Sequence, residues 1–455
     1  MKPLYSFLVL LIFVPLYISA QVGFNKAGYI NTEDGTDSHA YYDVIIDKDN
    51  KILAVGTTDL GTALIARYNQ DGKLDTMFNN TGFTVFPTNQ IDTGFYNSVI
   101  IDRNNRIIAV GRTNNSAVGL IIRFNENGTL DTTFNPRSIN GGLGYINQAD
   151  NNNTNAWVYH DVIIDKNNKI VVVGATNAVA NNRDGLIARY DQNGELDTTF
   201  NTTGYVKVEG DTNSLSYNAV AIDNNNNIIV VGQADDDNGL IARYTQHGIL
   251  DTSFNNTGYI NGTQATNSDV YYDVALDKNN KIVVVGATNA RNGTNDGLIA
   301  RYNSDGSLDT TFNGTGYINV DQPNNSESYQ AVFIDSNNKI IAVGLTDADD
   351  DDNERNGLIV RYNENGTLDT TFNGTGYING ANSINSWFYY SVFVDKNSKI
   401  IVVGRSDSDV VDMQTDGVIA RYLSNGVLDT ESNWSTQNFR ESAQINNISI
   451  GMLSR

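Results

Sequence analysis

A phrase of the form Gly-x-Leu-Asp-Thr returns seven times along the 455 residues, with its aspartate at Asp75, Asp131, Asp197, Asp251, Asp309, Asp369 and Asp429. The gaps are 56, 66, 54, 58, 60 and 60 residues, a mean of about 59. An arginine followed by an aromatic precedes each phrase, at Arg67, Arg123, Arg189, Arg243, Arg301, Arg361 and Arg421. Further upstream an apolar run ends in glycine, at Gly56, Gly111, Gly174, Gly232, Gly286, Gly344 and Gly404. A chain that repeats at this period builds one supersecondary unit many times and buries its core between neighbouring units.

Each unit reads as four strands. Residues 271–277 are β-branched and aromatic in character, 278–281 turn, and Ile282 to Gly286 return, which is a hairpin. A loop of changing length leads to Gly297 to Tyr302, and a shorter strand follows at Gly316 to Asn319. The second strand is apolar at every position, so both of its faces need cover. Glycine and asparagine interrupt the chain about every ten residues and no 3.6-residue period persists, which excludes helices. Seven such sheets, covered on both sides, form an all-β, seven-bladed β-propeller of four-stranded antiparallel blades. A solenoid is the rival, but its coils are shorter and it needs terminal caps.

The ends of the repeat favour a closed ring. Phe24-Asn25 and Gly28-Tyr29-Ile30 match fourth-strand words such as Phe312-Asn313 and Gly316-Tyr317-Ile318, while Leu428-Asp429-Thr430 has no fourth strand after it. Residues 24 to 31 are therefore expected beside residues 417 to 422. The words Arg301 to Asn313 and Asp277 to Gly286 resemble those of the delta-60 repeat family of bacterial exported β-propellers, and the likeness runs over about residues 24 to 430. That resemblance implies a propeller fold and no single activity.

Composition sets further bounds. With 30 Lys plus Arg against 52 Asp plus Glu, the net charge of -22 repels phosphate backbones, so nucleic acid is excluded as a partner. The absence of cysteine removes disulfides, thiolate metal sites and cysteine nucleophiles. Lys2, the apolar stretch Leu8 to Leu16 and Ala20 read as a signal peptide over residues 1–20. The expectation is a secreted, periplasmic or cell-surface monomer, without membrane insertion once the signal is removed, having a propeller over 21–432 and a tail over 433–455.

Two connections per blade are nearly constant and two vary, so the ring has a constant and a variable face. Lysines and arginines such as Lys48, Lys51, Arg103 and Arg106 occupy the constant turns, whereas Asp235 to Asp237 and Asp347 to Asp352 occupy variable loops. Recognition is expected on the variable, acidic face. The repeated Arg and Asp read as structural pairs within each blade. Tyr41, Tyr96, Tyr159, Tyr217, Tyr271, Tyr329 and Tyr389 read as inter-blade packing, with hydroxyls satisfied at the rim.

Two residues before those tyrosines the chain diverges, with His39, Gly94, Trp157, Leu215, Asp269, Glu327 and Trp387. Exposed aromatics suit stacking on sugars, which makes Trp157, Trp387 and His39 the candidate ligand residues; plugging of blade junctions is the alternative. The alternate spacing of Asp347, Asp349 and Asp351 makes them the candidate calcium ligands, although Asp352 stands where an EF-type loop needs glycine. No catalytic set is assigned, because His39, His160 and His247 occupy unrelated places. The sequence thus gives the expectation of a non-enzymatic scaffold binding extracellular carbohydrate or protein, with a polysaccharide hydrolase or lyase, or a structural surface protein, as alternatives.

Overall fold

A computed structural model describes residues 24–430, apart from residue 26 and the segments 31–37, 87–93, 114–117, 137–143, 149–155, 178–182, 209–214, 235–237, 263–268, 292–293, 321–326, 347–355, 381–385 and 408–414. The described residues form 28 strands in seven four-stranded antiparallel sheets, six of them built wholly from strands consecutive in the chain. The closing sheet takes Tyr29–Ile30 as its fourth strand, with Tyr29 opposite Ala420 and Ile30 opposite Ile419. Phe24 N donates to the Asp429 carbonyl at 2.9 Å and Arg421 N donates to that of Gly28 at 2.9 Å, so the two ends of the repeat complete one blade.

The first strands of successive blades touch all the way round, the seventh meeting the first, so they line a central channel. The core lies between blades. With the blades numbered in chain order by their first strands, Ser38–Ile46, Gly94–Ile101, Ala156–Ile164, Ser216–Ile222, Asp269–Leu276, Glu327–Ile334 and Ser386–Val394, each apolar cluster joins one face of a sheet to the opposing face of the next, as where Val283, Val285 and Ile299 of blade 5 meet Tyr329, Val332 and Ile340 of blade 6. The second and third strands are buried along nearly their whole length, which is why they read as unbroken apolar runs.

Asparagine abundance has a local cause. The turn after the first strand places Asn50, Asn105, Asn168, Asn226, Asn280, Asn338 and Ser398 at φ of 58 to 65°, a left-handed conformation that asparagine tolerates better than most side chains. Asp47 Oδ1 accepts from the backbone of Asp49 and Lys51 to fix the first of these turns.

Every inner strand also carries a bulge immediately after its repeated tyrosine, with register shifts at 41/43, 96/98, 159/161, 217/219, 271/273, 329/331 and 389/391. The glycine ending each apolar run makes room for it. A Cβ at Gly56 would stand 1.9 Å from the Ala40 carbonyl oxygen.

Candidate functional site: the mouth of the central channel

A bulge inserts one extra residue and re-aims its side chain. Here the inserted residues are Tyr42, Asn97, His160, Asn218, Tyr272, Gln330 and Tyr390, one per blade. Several reach the next blade: Asn97 Nδ2 donates to the Tyr159 carbonyl at 2.7 Å and Asn218 Nδ2 to that of Tyr271 at 2.8 Å. His160 Nδ1 lies 2.8 Å from the Tyr217 carbonyl and donates to it, which leaves Nε2 as the acceptor nitrogen.

One residue deeper stand Asp43, Asp161 and Asp273, in alternate blades. Asp43 accepts from Val99 N at 2.9 Å in the next blade and from Ser391 Oγ at 2.7 Å across the closing seam. Asp161 repeats this with Val220 N and Ser98 Oγ, and Asp273 accepts from Val332 N. They tie the inner strands together around the lumen. Burial raises all three, Asp161 to about 6 and Asp273 to about 7, despite the hydrogen bonds that favour the charged form.

Toward the variable loops the channel turns basic and aromatic. Arg112 lies over the Phe95 ring at 4.6 Å and Arg405 over Phe388 at 4.6 Å. Tyr42 sits between them, with ring centroids 5.9 Å from Phe95 and 5.5 Å from Tyr390. Burial pushes the Tyr42 hydroxyl up, while Arg405 and Arg112 pull it down. Burial, joined by the like charge of Arg183, lowers Arg112. Burial also holds His160 below the ordinary histidine value, with Arg183 and Arg112 acting in the same direction, so its imidazole is neutral at pH 7. Arg405 Nε is buried without a hydrogen-bond partner. A partly desolvated guanidinium beside aromatic faces is suited to a carboxylate or sulfate on a ring-shaped ligand.

The expected site residues fall elsewhere. Trp157 and Trp387 are buried, 4% and 2% exposed, so the expectation of exposed rim aromatics is corrected. Two residues apart on a strand share a face, and the repeated tyrosine already faces the junction. Trp157 therefore packs on Tyr205, with centroids 5.1 Å apart, and Trp387 on Tyr29, at 5.0 Å. His39 belongs to the strand Ser38–Ile46, but its side chain lies outside the described residues, as do Asp347, Asp349 and Asp351 entirely. Asp235 to Asp237 lie outside them too, and what the described residues bring to the centre of the variable face is basic rather than acidic. The repeated tyrosines do fill blade junctions, yet in six blades their hydroxyls meet a third-strand tyrosine rather than the rim, as Tyr41 meets Tyr68 at 2.7 Å. The repeated arginines are structural as expected, Arg67 Nε donating to Asp75 at 2.7 Å.

None of the candidate residues stands at the position just after the repeated tyrosine. Its divergence among Tyr, Asn, His and Gln beside a constant neighbour was the available signal, and only the bulge shows that these side chains line the channel.

Six segments, residues 48–78, 103–134, 166–200, 278–312, 336–372 and 396–431, match the model of a family described as a domain of unknown function (DUF5122) β-propeller. These matches support a β-propeller repeat family of unknown function. No segment includes an inner strand, so the bulge residues lie outside the shared words. No curated protein sequence matches the chain. Among solved structures, virginiamycin B lyase from Staphylococcus aureus is similar at 12% identity and a TM-score of 0.48, over 86% of this chain and 98% of that one. A gluconolactonase from Xanthomonas campestris is similar at 8% identity and a TM-score of 0.36, over 85% and 87%. A carbohydrate-active enzyme of family AA12 from Trichoderma reesei is similar at 13% identity and a TM-score of 0.37, over 90% and 100%. All three are enzymes by name, and the expectation that this chain is not an enzyme is corrected accordingly: likeness among its blades is no ground for excluding catalysis. At such identities the likeness extends to the fold alone and assigns no reaction.

Proposed function

We propose that the chain, a propeller with repeats of the delta-60 type, recognises an extracellular acidic carbohydrate at the variable-loop mouth of its channel. One observation carries the reading: Arg112 and Arg405, each stacked on a phenylalanine, converge on Tyr42, and Arg405 Nε is buried without a partner. Aromatic faces take the apolar side of a sugar ring, and guanidinium groups take its carboxylate or sulfate.

A glycan array carrying neutral, uronate and sulfated oligosaccharides tests the proposal. The expected result is retention of the anionic members only, weakened at least about tenfold in an Arg112→Ala, Arg405→Ala double variant, since each charge-assisted bond contributes roughly 1.5–3 kcal/mol. Equal binding of neutral and acidic glycans, or none, overturns it.

Elimination at a uronate is a second reading favoured by a specific feature. Arg112 would neutralise the carboxylate while the neutral His160, with Nε2 unprotonated, takes the proton from the carbon beside it; the C–H electron pair becomes the carbon–carbon double bond as the glycosidic C–O bond on the next carbon breaks, and the departing oxygen takes a proton from the imidazolium or from water. Appearance of an unsaturated sugar, lost in His160→Ala while binding persists, distinguishes this reading from recognition alone.

A further inference from the structure

The junction between blades 5 and 6 differs from the junctions that an aromatic plug closes, in a way that follows from one substitution within the repeat. In blades 2, 3 and 7 the tyrosine of the outer strand packs on an aromatic that closes the junction. Tyr145 meets Phe86 at 5.4 Å, Tyr205 meets Trp157 at 5.1 Å and Tyr29 meets Trp387 at 5.0 Å. In blade 6 the corresponding tyrosine is Tyr377, and the position of the two tryptophans holds Glu327. The space that an indole fills elsewhere is here a cavity of about 290 Å³, lined by Glu327, Tyr329, Thr346, Leu358, Tyr377 and Asn379 among others. Tyr377 is 44% exposed and stands at its opening.

The chemistry of this cavity is selective. Glu327 is only 8% exposed, and its Oε2 is buried with no hydrogen-bond partner. Asp296 of blade 5 bears on it with like charge. A buried carboxyl group without a hydrogen-bond partner, beside a second carboxyl group, is costly unless it keeps a proton or receives a cation. The other walls are largely apolar or phenolic, which suits the body of a small organic molecule. A hard metal ion wants six or more oxygens, and among the described residues no group of three acidic or histidine side chains is placed to hold one.

We propose that this junction binds a small molecule bearing a protonated amine, its ammonium group on Glu327 and its apolar body against Leu358 and Tyr377. The site is distinct from the channel mouth and does not depend on the function proposed there.

Cyclohexylamine and its neutral counterpart cyclohexanol serve as probes, with thermal melting of the whole chain as the readout. The amine is expected to raise the melting temperature in a concentration-dependent way and the alcohol to have no effect. Glu327→Gln should weaken the amine at least tenfold, and Glu327→Trp, which restores the plug of blades 3 and 7, should abolish the response while raising the melting temperature by itself. If the tryptophan variant fails to fold, Glu327→Gln decides alone. An absent amine response, a response equal in Glu327→Gln, or one reproduced by calcium chloride and lost in that variant overturns the proposal.

Discussion

At the scale of single residues, the repeat exposes its exceptions. In six blades the junction tyrosine shares a hydrogen bond with the tyrosine of the third strand, at 2.7 Å for Tyr41 with Tyr68 and 3.0 Å for Tyr389 with Tyr422. Blade 2 has Phe124 in the partner position, and the Tyr96 hydroxyl is buried with no partner. Burial without compensation pushes that hydroxyl far above the ordinary phenol value. A buried unmade hydrogen bond costs more than a made one gains. Phe124→Tyr is therefore expected to stabilise the protein by about 1 kcal/mol, read as a rise in urea midpoint at constant slope. An unchanged or lowered midpoint would show that the junction there has no room for the added oxygen.

At the scale of the element, one charged cluster per blade joins the constant face. Asp309 Oδ2 accepts from Arg301 Nε at 2.7 Å and Lys281 Nζ at 2.6 Å, and Oδ1 accepts from Thr311 Oγ1 at 2.6 Å. The same guanidinium lies over Phe312 at 4.7 Å, and Arg301 Nη1 donates to the Glu364 carbonyl of the following blade. One arginine thus links its strand, its turn and its neighbour. The cationic partners and these hydrogen bonds hold the Asp309 carboxyl well below the usual range against the opposing effect of burial. Asp309→Ala would strand a buried guanidinium, at a cost of about 3–5 kcal/mol. Lys281, more exposed, should matter far less, and Lys281→Met is expected to cost under about 1 kcal/mol. Denaturant titration of both variants checks the order, and equal losses would refute the account.

At the scale of the whole molecule, two sets of carboxyl groups oppose one another with pH. Asp161 at about 6, Asp273 at about 7 and Glu327 at about 7 bind protons more tightly folded than unfolded. They add stability as pH falls from about 7 toward their ordinary values near 4, and take it away as pH rises. The net charge of -22 acts in the same direction, because self-repulsion relaxes toward the isoelectric point. Asp197 is lowered to about 2, and Asp75, Asp131, Asp309 and Asp369 are lowered too, so their contribution is lost as pH falls below about 4. The melting temperature is expected to climb from pH 8 to about pH 5 and to drop between pH 4 and pH 2. A maximum above pH 7 would mean that the channel carboxyls are not desolvated as their placement demands.

What the amino-acid sequence determined by itself is the part of the protein written in repeated words. Apolar runs covered on both sides, turn asparagines and Arg-Asp pairs are local or fixed by a constant spacing, so the strands, the blade count and the closure that brings residues 24–31 beside 417–422 were legible in it, while the register of Tyr29 opposite Ala420 was not. Tertiary structure alone decided the site. Tyr42, Arg112, Arg405 and His160 come from four blades and are far apart in the chain, and they meet only because the ring closes. The bulge after each tyrosine decides which side chain enters the channel, and the strand period of two decides that Trp157 and Trp387 face a junction instead. Glu327 shows both limits together. Its divergence could be read in the sequence, but that it lines a cavity where Trp157 and Trp387 fill the space depends on what the neighbouring blade brings opposite it.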